Sequence, residues 1–254
     1  MIEYIFCIGT GRTGSEYLAK MLGMCKGIQA FHEPQPILNG AHMMEYLRGH
    51  SQLLEAEMPN KVKSIEQLRN DEVYVETSHV FIKSFGWLLP EYIPQEKIGV
   101  ILLNRKPSKV VHSYMRIRST PLNTGRAWQM TPLKKEILVK KKGVNPATYN
   151  FHRKIQRVTR SRIFRKFFGE KTPGFLAYYE RKLLFWYIEE TEAMAQKYQE
   201  RFPEISYFSV NIDELNRADT FEKMLNHFGI DFQPTEEFYQ ALGRVTNLKS
   251  HRGK

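Results

Sequence analysis

The sequence predicts an α/β fold, a mainly parallel central sheet flanked by helices, on three observations. Residues 2–8 (IEYIFCI) form a short apolar run that breaks at once into a glycine-rich turn and then resumes with the composition of a helix. Residues 98–103 (IGVILL) are apolar without interruption, as suits a parallel strand covered on both faces, and Pro107 opens the crossover helix such a strand requires. Strand-like and helix-like segments go on alternating to the end of the chain. With 254 residues, 42% of them hydrophobic, the chain can bury the core of one large domain, and a single domain over 1–254 is expected.

The elements follow in order. A strand at 2–8 leads through the glycine turn to a helix over 14–25, with Leu18, Met21, Leu22 and Cys25 on one face. A second helix is expected over 40–56, a strand at 73–77 (VYVET), and a helical reading of the apolar stretch 80–93. After the strand at 98–103 and the helix at Pro107 come a long helix at 174–201 and a strand at 205–210 (ISYFSV). A helix at 219–228 ending at Gly229 and a short helix from 235 close the series.

No stretch approaches the roughly 18 apolar residues of a membrane span, and no signal-peptide pattern opens the chain, so a cytoplasmic protein is expected. Two cysteines, Cys7 and Cys25, are too few for a disulfide framework and read as buried thiols. Net charge is +11, and its placement is uneven: residues 134–171 hold 13 of the 38 basic residues against Glu136 and Glu170, leaving 25 of each sign elsewhere. Such a segment suits an anionic partner or, equally, a solvated basic face.

The segment IFCIGTGRTGSEYL, residues 5–18, carries the chemistry. A glycine turn between a buried strand and a helix presents backbone N–H groups beside the positive end of the helix dipole, a cradle for an oxyanion. Counted from Gly9, the pattern GxxxxGK[ST] would need Lys at 15 and Ser or Thr at 16, where the chain has Ser15 and Glu16, which disfavours an ordinary NTPase. Gly9, Gly11 and Gly14 do fit the dinucleotide pattern GxGxxG, with Glu33 as its acidic residue. Arg12 in mid-loop fits better where the bound group's charge moves during reaction, because a guanidinium can grip a leaving oxygen.

Gly11-Arg12-Thr13-Gly14-Ser15 resembles the 5′-phosphosulfate loop of the sulfotransferases that use 3′-phosphoadenosine 5′-phosphosulfate (PAPS). In that family a basic residue stands two before a glycine flanked by hydroxyl residues, and Arg12, Thr13, Gly14 and Ser15 match. The family's second signature is an Arg after a strand with a Ser eight residues later, together gripping the 3′-phosphate; Arg105 and Ser113, in ILLNRKPSKVVHSYMRI, resemble it. The resemblance implies a P-loop-like nucleotide-binding fold, with PAPS held by Gly11, Arg12, Thr13, Gly14, Ser15, Glu16, Tyr17, Arg105 and Ser113. It also implies a basic C-terminal contact, for which NLKSHRGK offers Lys249 and Arg252 without the family's Arg-Lys-Gly order. Residues 119–170, a helical basic insertion, are expected to form the acceptor-side subdomain, where an acidic saccharide or an anionic membrane surface would suit the charge.

Transfer to a hydroxyl needs a base opposite the bridging oxygen. Glu33, in FHEP, stands where tyrosylprotein and several bacterial members of the resembling family place a glutamate, with His32 as the alternative. Pro34 biases Glu33 toward an extended backbone. Glu76 and Ser78, at the end of the 73–77 strand, and Lys171 in GEKTPGFL are candidates for substrate contact, and Tyr17 and Trp87 for stacking on adenine unless they are core aromatics. No metal site is expected, because His79 and His112 stand at neither helical nor strand spacing from another ligand. The rival readings are a kinase with a degenerate phosphate loop and a basic nucleic-acid-binding protein.

Overall fold

A computed structural model describes residues 1–117, 119–120 and 174–244. Lys171, Lys249, Arg252 and the basic segment 134–171 lie outside the described residues, as does all of the expected subdomain beyond residue 120. The described residues divide into two compact units, residues 1–105 with 191–244 and residues 106–120 with 174–190, each taken by itself below.

The first unit is built on a five-stranded, wholly parallel sheet of β1 (Tyr4–Ile8), β2 (Ile28–Phe31), β3 (Val73–Glu76), β4 (Ile98–Asn104) and β5 (Ser206–Asn211), in the order β2-β3-β1-β4-β5. The α/β fold read from the sequence is therefore the fold observed. Every residue of β1 is buried, because the sheet is covered on both faces. Ile5 and Cys7 face a core completed by α1 (Ser15–Leu22), α6 (Ala218–His227) and α7 (Glu236–Ala241). Phe6, the intervening residue, stacks on Phe81 with ring centroids 4.9 Å apart, and an aromatic cluster with Phe85 and Tyr198 continues from there.

Three segments differ from the sequence expectation, each for a local reason. The helix expected at 40–56 is two helices, α2 (Ala41–Leu47) and α3 (Gln52–Arg69), separated where Gly49 takes a φ of +94°. Helix α3 runs on past Pro59, which is exposed and costs the helix one backbone N–H bond. The stretch 80–93 forms three single 3₁₀ turns, Phe81–Lys83, Phe85–Trp87 and Leu89–Glu91, rather than an α-helix. Its side chains are buried nearly all round, and Gly86 and Pro90 interrupt any longer run.

The second unit holds α4 (Pro107–Arg116) and the first part of α5 (Gly174–Arg201), whose remainder, from Thr191, belongs to the first unit. Val110, Val111 and Tyr114 pack there on Tyr179, Leu183, Leu184 and Tyr187. No helix among the described residues is long and apolar enough to cross a membrane.

Both cysteines are buried free thiols. Burial pushes Cys7 up to about 12 and Cys25 up to about 11. A thiol-reactive dye at neutral pH is thus expected to label neither cysteine in the folded protein and both after denaturation. The folded thiols hold their protons above the unfolded value of about 8.5, so their contribution to stability is whole below that pH and is lost as pH rises toward 12. Burial of Tyr4, Tyr74 and Tyr198 raises these phenols as well and acts in the same direction. The thermal midpoint is expected to fall between pH 8 and pH 11, measured by circular dichroism.

Candidate functional site

The strands are parallel, so their C-terminal ends meet at one edge of the sheet, where ligands of open α/β sheets bind. The glycine loop begins there. Gly9 leaves β1 in a space where a Cβ would stand 3.0 Å from both the Leu103 carbonyl and Thr13 Oγ1. The Thr13 hydroxyl donates to the Thr10 carbonyl at 2.6 Å, closing the loop on itself. Gly14 caps α1 in the left-handed conformation, φ +99°, and a Cβ on it would lie 2.0 Å from Ile212 Cδ1. The loop thus keeps its backbone N–H groups at the start of α1, as an oxyanion cradle requires. Glu16, exposed in the first turn, complements the helix dipole.

Thr77, just beyond β3, joins three of these ends. Its hydroxyl donates to the Ser15 carbonyl at 2.9 Å, its N–H donates to the Phe31 carbonyl at 2.9 Å, and its own carbonyl accepts from His32 Nδ1 at 2.7 Å. Since a carbonyl only accepts, Nδ1 carries the proton in the neutral His32 ring. Glu33 follows directly, and its Oε1 is in contact with His79 Nδ1. A carboxylate accepts, so His79 donates through Nδ1. Both side chains are less than one-fifth exposed, which strengthens the pairing relative to one in water.

Glu33 is not extended as its proline neighbour predicts. Its φ is +52°, a region few non-glycine residues enter. Pro34 disfavours the right-handed helical region, and the ties of His32 to Thr77 and of Glu33 to His79 hold the residue in the other compact conformation. Arg12 is likewise left-handed, at φ +69°. Among the described residues the other such non-glycine positions are Leu38, Asn70 and Asp71, of which Asn70 and Asp71 tolerate the region through their short polar side chains. The remaining three are Arg12, Glu33 and Leu38, whose side chains gain no such local compensation.

Arg105, immediately after β4, donates from Nη1 to the Arg12 carbonyl at 2.7 Å. Arg12, Arg105, Glu33 and the loop 9–15 therefore belong to one edge of the sheet. Behind that edge lies a buried ion pair: Lys61 Nζ stands 2.8 Å from Glu76 Oε2, with the lysine side chain 1% and the glutamate 0% exposed. The Tyr74 hydroxyl donates to the same oxygen at 2.8 Å, and Lys61 Nζ lies 4.6 Å from the Phe85 ring centre. Burial pushes the Glu76 carboxyl up against the pull of Lys61 and Tyr74, and the like charge of Glu33 adds a smaller rise.

Glu76 and Ser78, expected to face substrate, are instead buried, at 0% and 1% exposure. Glu76 is occupied by Lys61 and Tyr74, and the Ser78 oxygen accepts from the Val80 N–H at 3.4 Å. Tyr17 is buried and Trp87 half-buried, each held by protein partners. The Tyr17 hydroxyl donates to the Leu215 carbonyl at 3.3 Å and accepts from the Gly243 N–H at 2.9 Å. Trp87 donates to the Ile82 carbonyl at 2.6 Å and packs against Tyr198 and Phe202. Ser113 is buried on α4, in the second unit. The sequence reading weighed His79 only as a metal ligand and missed its pairing with Glu33; its place three residues past Glu76, at a strand end of the same edge, was the available signal.

No family model matches the chain. No curated protein matches it either. Among solved structures the chain is similar to a sulfotransferase from Alicyclobacillus acidocaldarius, at 14% identity over 95% of this chain and 90% of that one, with a TM-score of 0.48.

Proposed function

We propose that the chain transfers the sulfuryl group of PAPS to an acceptor hydroxyl by in-line displacement, leaving 3′,5′-adenosine bisphosphate. The observation that carries this reading is the meeting, at one edge of the sheet, of a glycine loop opening a helix, an Arg105 guanidinium bound to the Arg12 carbonyl, and a Glu33 carboxylate held by His79. The amides of Thr13, Gly14 and Ser15 hold the oxygens of the transferring end. Arg12 stabilises charge that grows on the bridging oxygen as its bond to sulfur breaks. Glu33 takes the acceptor's proton as the new sulfur–oxygen bond forms, and His79 holds one carboxylate oxygen so that the other is presented. Arg105 binds the 3′-phosphate, and the resemblance adds Ser113, eight residues later, and the C-terminal Lys249 and Arg252. The acceptor-side contacts fall to residues 119–170 and Lys171, whose basic character favours an anionic acceptor.

The sulfuryl group carries less charge than a phosphoryl group, so cationic side chains suffice and activity is expected to persist in a chelator. The test is transfer of radiolabelled sulfur from PAPS to a panel of phenols, tyrosine peptides, saccharides and lipids, with and without magnesium. Replacing Arg12 with Ala is expected to lower the rate by about 10² to 10³, the cost of one lost donor to a developing oxyanion. Transfer of phosphoryl from ATP, dependent on magnesium, in place of labelled sulfur would support the kinase reading and overturn this one.

A further inference from the structure

We infer that Arg105 is a positioning residue for the anion loop as well as a ligand for a distant phosphate: its bond to the Arg12 carbonyl sets the direction of the Thr13 N–H. The inference rests in part on the reading of the loop as an oxyanion site. The geometry is direct, since Arg105 Nη1 donates to the Arg12 carbonyl at 2.7 Å. That carbonyl and the Thr13 N–H share one planar trans peptide unit, in which they point in opposite directions. Fixing the oxygen therefore fixes the hydrogen. A loop peptide without such a hold is open to rotation of the whole plane about its flanking φ and ψ angles, which would turn the Thr13 donor out of the cradle.

The rest of the loop shows why this peptide needs an external hold. Thr13 Oγ1 reaches back to the Thr10 carbonyl, and Ile212 stands against Gly14 where no side chain fits, so both ends of the loop are held locally. Arg12 lies between them with a φ of +69°, a conformation its side chain disfavours. Arg105 is well placed to supply the hold because it follows the last residue of β4, which is in register with Asn211 of β5. Asn104 adds a bond from its side-chain amide to Ser209 Oγ at 2.9 Å. A guanidinium carries five donors in a rigid fork, so one side chain can hold a carbonyl and a phosphate at once, which the single ammonium of a lysine cannot match in geometry.

The test separates the two duties with a ligand that lacks the 3′-phosphate. Wild type, Arg105→Gln and Arg105→Lys would be titrated by calorimetry with 3′,5′-adenosine bisphosphate and with adenosine 5′-phosphosulfate. In parallel, amide hydrogen exchange over residues 11–15 would be followed in the ligand-free proteins. Arg105→Gln is expected to weaken adenosine 5′-phosphosulfate at least about tenfold, the loss of a charge-assisted bond, and to speed exchange in the loop with α6 unchanged. Arg105→Lys is expected to recover much of the bisphosphate affinity but little of the loop protection. Wild-type affinity of Arg105→Gln for adenosine 5′-phosphosulfate, with unchanged loop exchange, would overturn the inference. If wild type binds neither nucleotide, the proposed function fails, and the exchange comparison alone decides this inference in the same sense. Should Arg105→Gln not fold, Arg105→Lys carries both measurements.

Discussion

Glu33→Gln is expected to slow turnover by about 10² to 10⁴ while leaving the affinity for 3′,5′-adenosine bisphosphate unchanged. The amide matches the carboxylate in shape, and its oxygen still accepts from His79 Nδ1, so the local backbone and the pairing that holds it persist. What the amide cannot do is take a proton. Steady-state kcat with labelled donor, set beside calorimetric binding of the bisphosphate, separates the two effects. Full activity in this variant would remove Glu33 as the base. His32 would then be the next candidate, with Nδ1 committed to the Thr77 carbonyl and Nε2 the nitrogen left to accept.

Lys61→Met is expected to cost about 3 to 5 kcal/mol of folding stability, more than most single substitutions, because it leaves the Glu76 carboxylate buried without its cation. Glu76 Oε1 has no hydrogen-bond partner among the described residues, so little remains to compensate the charge once Lys61 is gone. The pH dependence has a definite sign. Burial already pushes the folded Glu76 carboxyl above its ordinary value, and loss of Lys61 pushes it further. The folded variant then keeps a proton that the unfolded chain releases above about 4.3, so its deficit is greatest at neutral pH and shrinks as pH falls toward that value. The double variant Lys61→Met/Glu76→Gln is expected to regain most of the loss, since no buried charge is then left alone. Chemical denaturation at pH 7 and pH 5 measures all three differences; a single variant as stable as wild type at pH 7 would contradict this account of the pair.

What could be read in the sequence, and what could not, follows the range of the forces involved. The strand, glycine turn and helix at the start of the chain were legible because the apolar run, the glycines and the resumed helical composition all lie within residues 5–18. The strand at 98–103 was legible because burial on both faces leaves an unbroken apolar run. Strand β2, only four residues long with three of them half-buried, carries no such signature. The pairings of Glu33 with His79 and of Lys61 with Glu76 were also hidden, since each joins different elements through a tertiary contact. Glu76 looked like a ligand because a carboxylate at a strand end in an α/β sheet often is one; the lysine that occupies it lies on α3, a helix the sequence pattern broke too early. The positive φ of Glu33 could not be read either, because a following proline narrows the choices without selecting among them.

The most direct measurement is a calorimetric titration of the purified protein with 3′,5′-adenosine bisphosphate and, separately, with ATP and magnesium. A site formed by the loop 9–15, Arg12 and Arg105 predicts saturable binding of one bisphosphate per chain, much tighter than ATP and weakened in Arg12→Ala. Tighter binding of ATP with magnesium, or bisphosphate binding indifferent to Arg12→Ala, would contradict it.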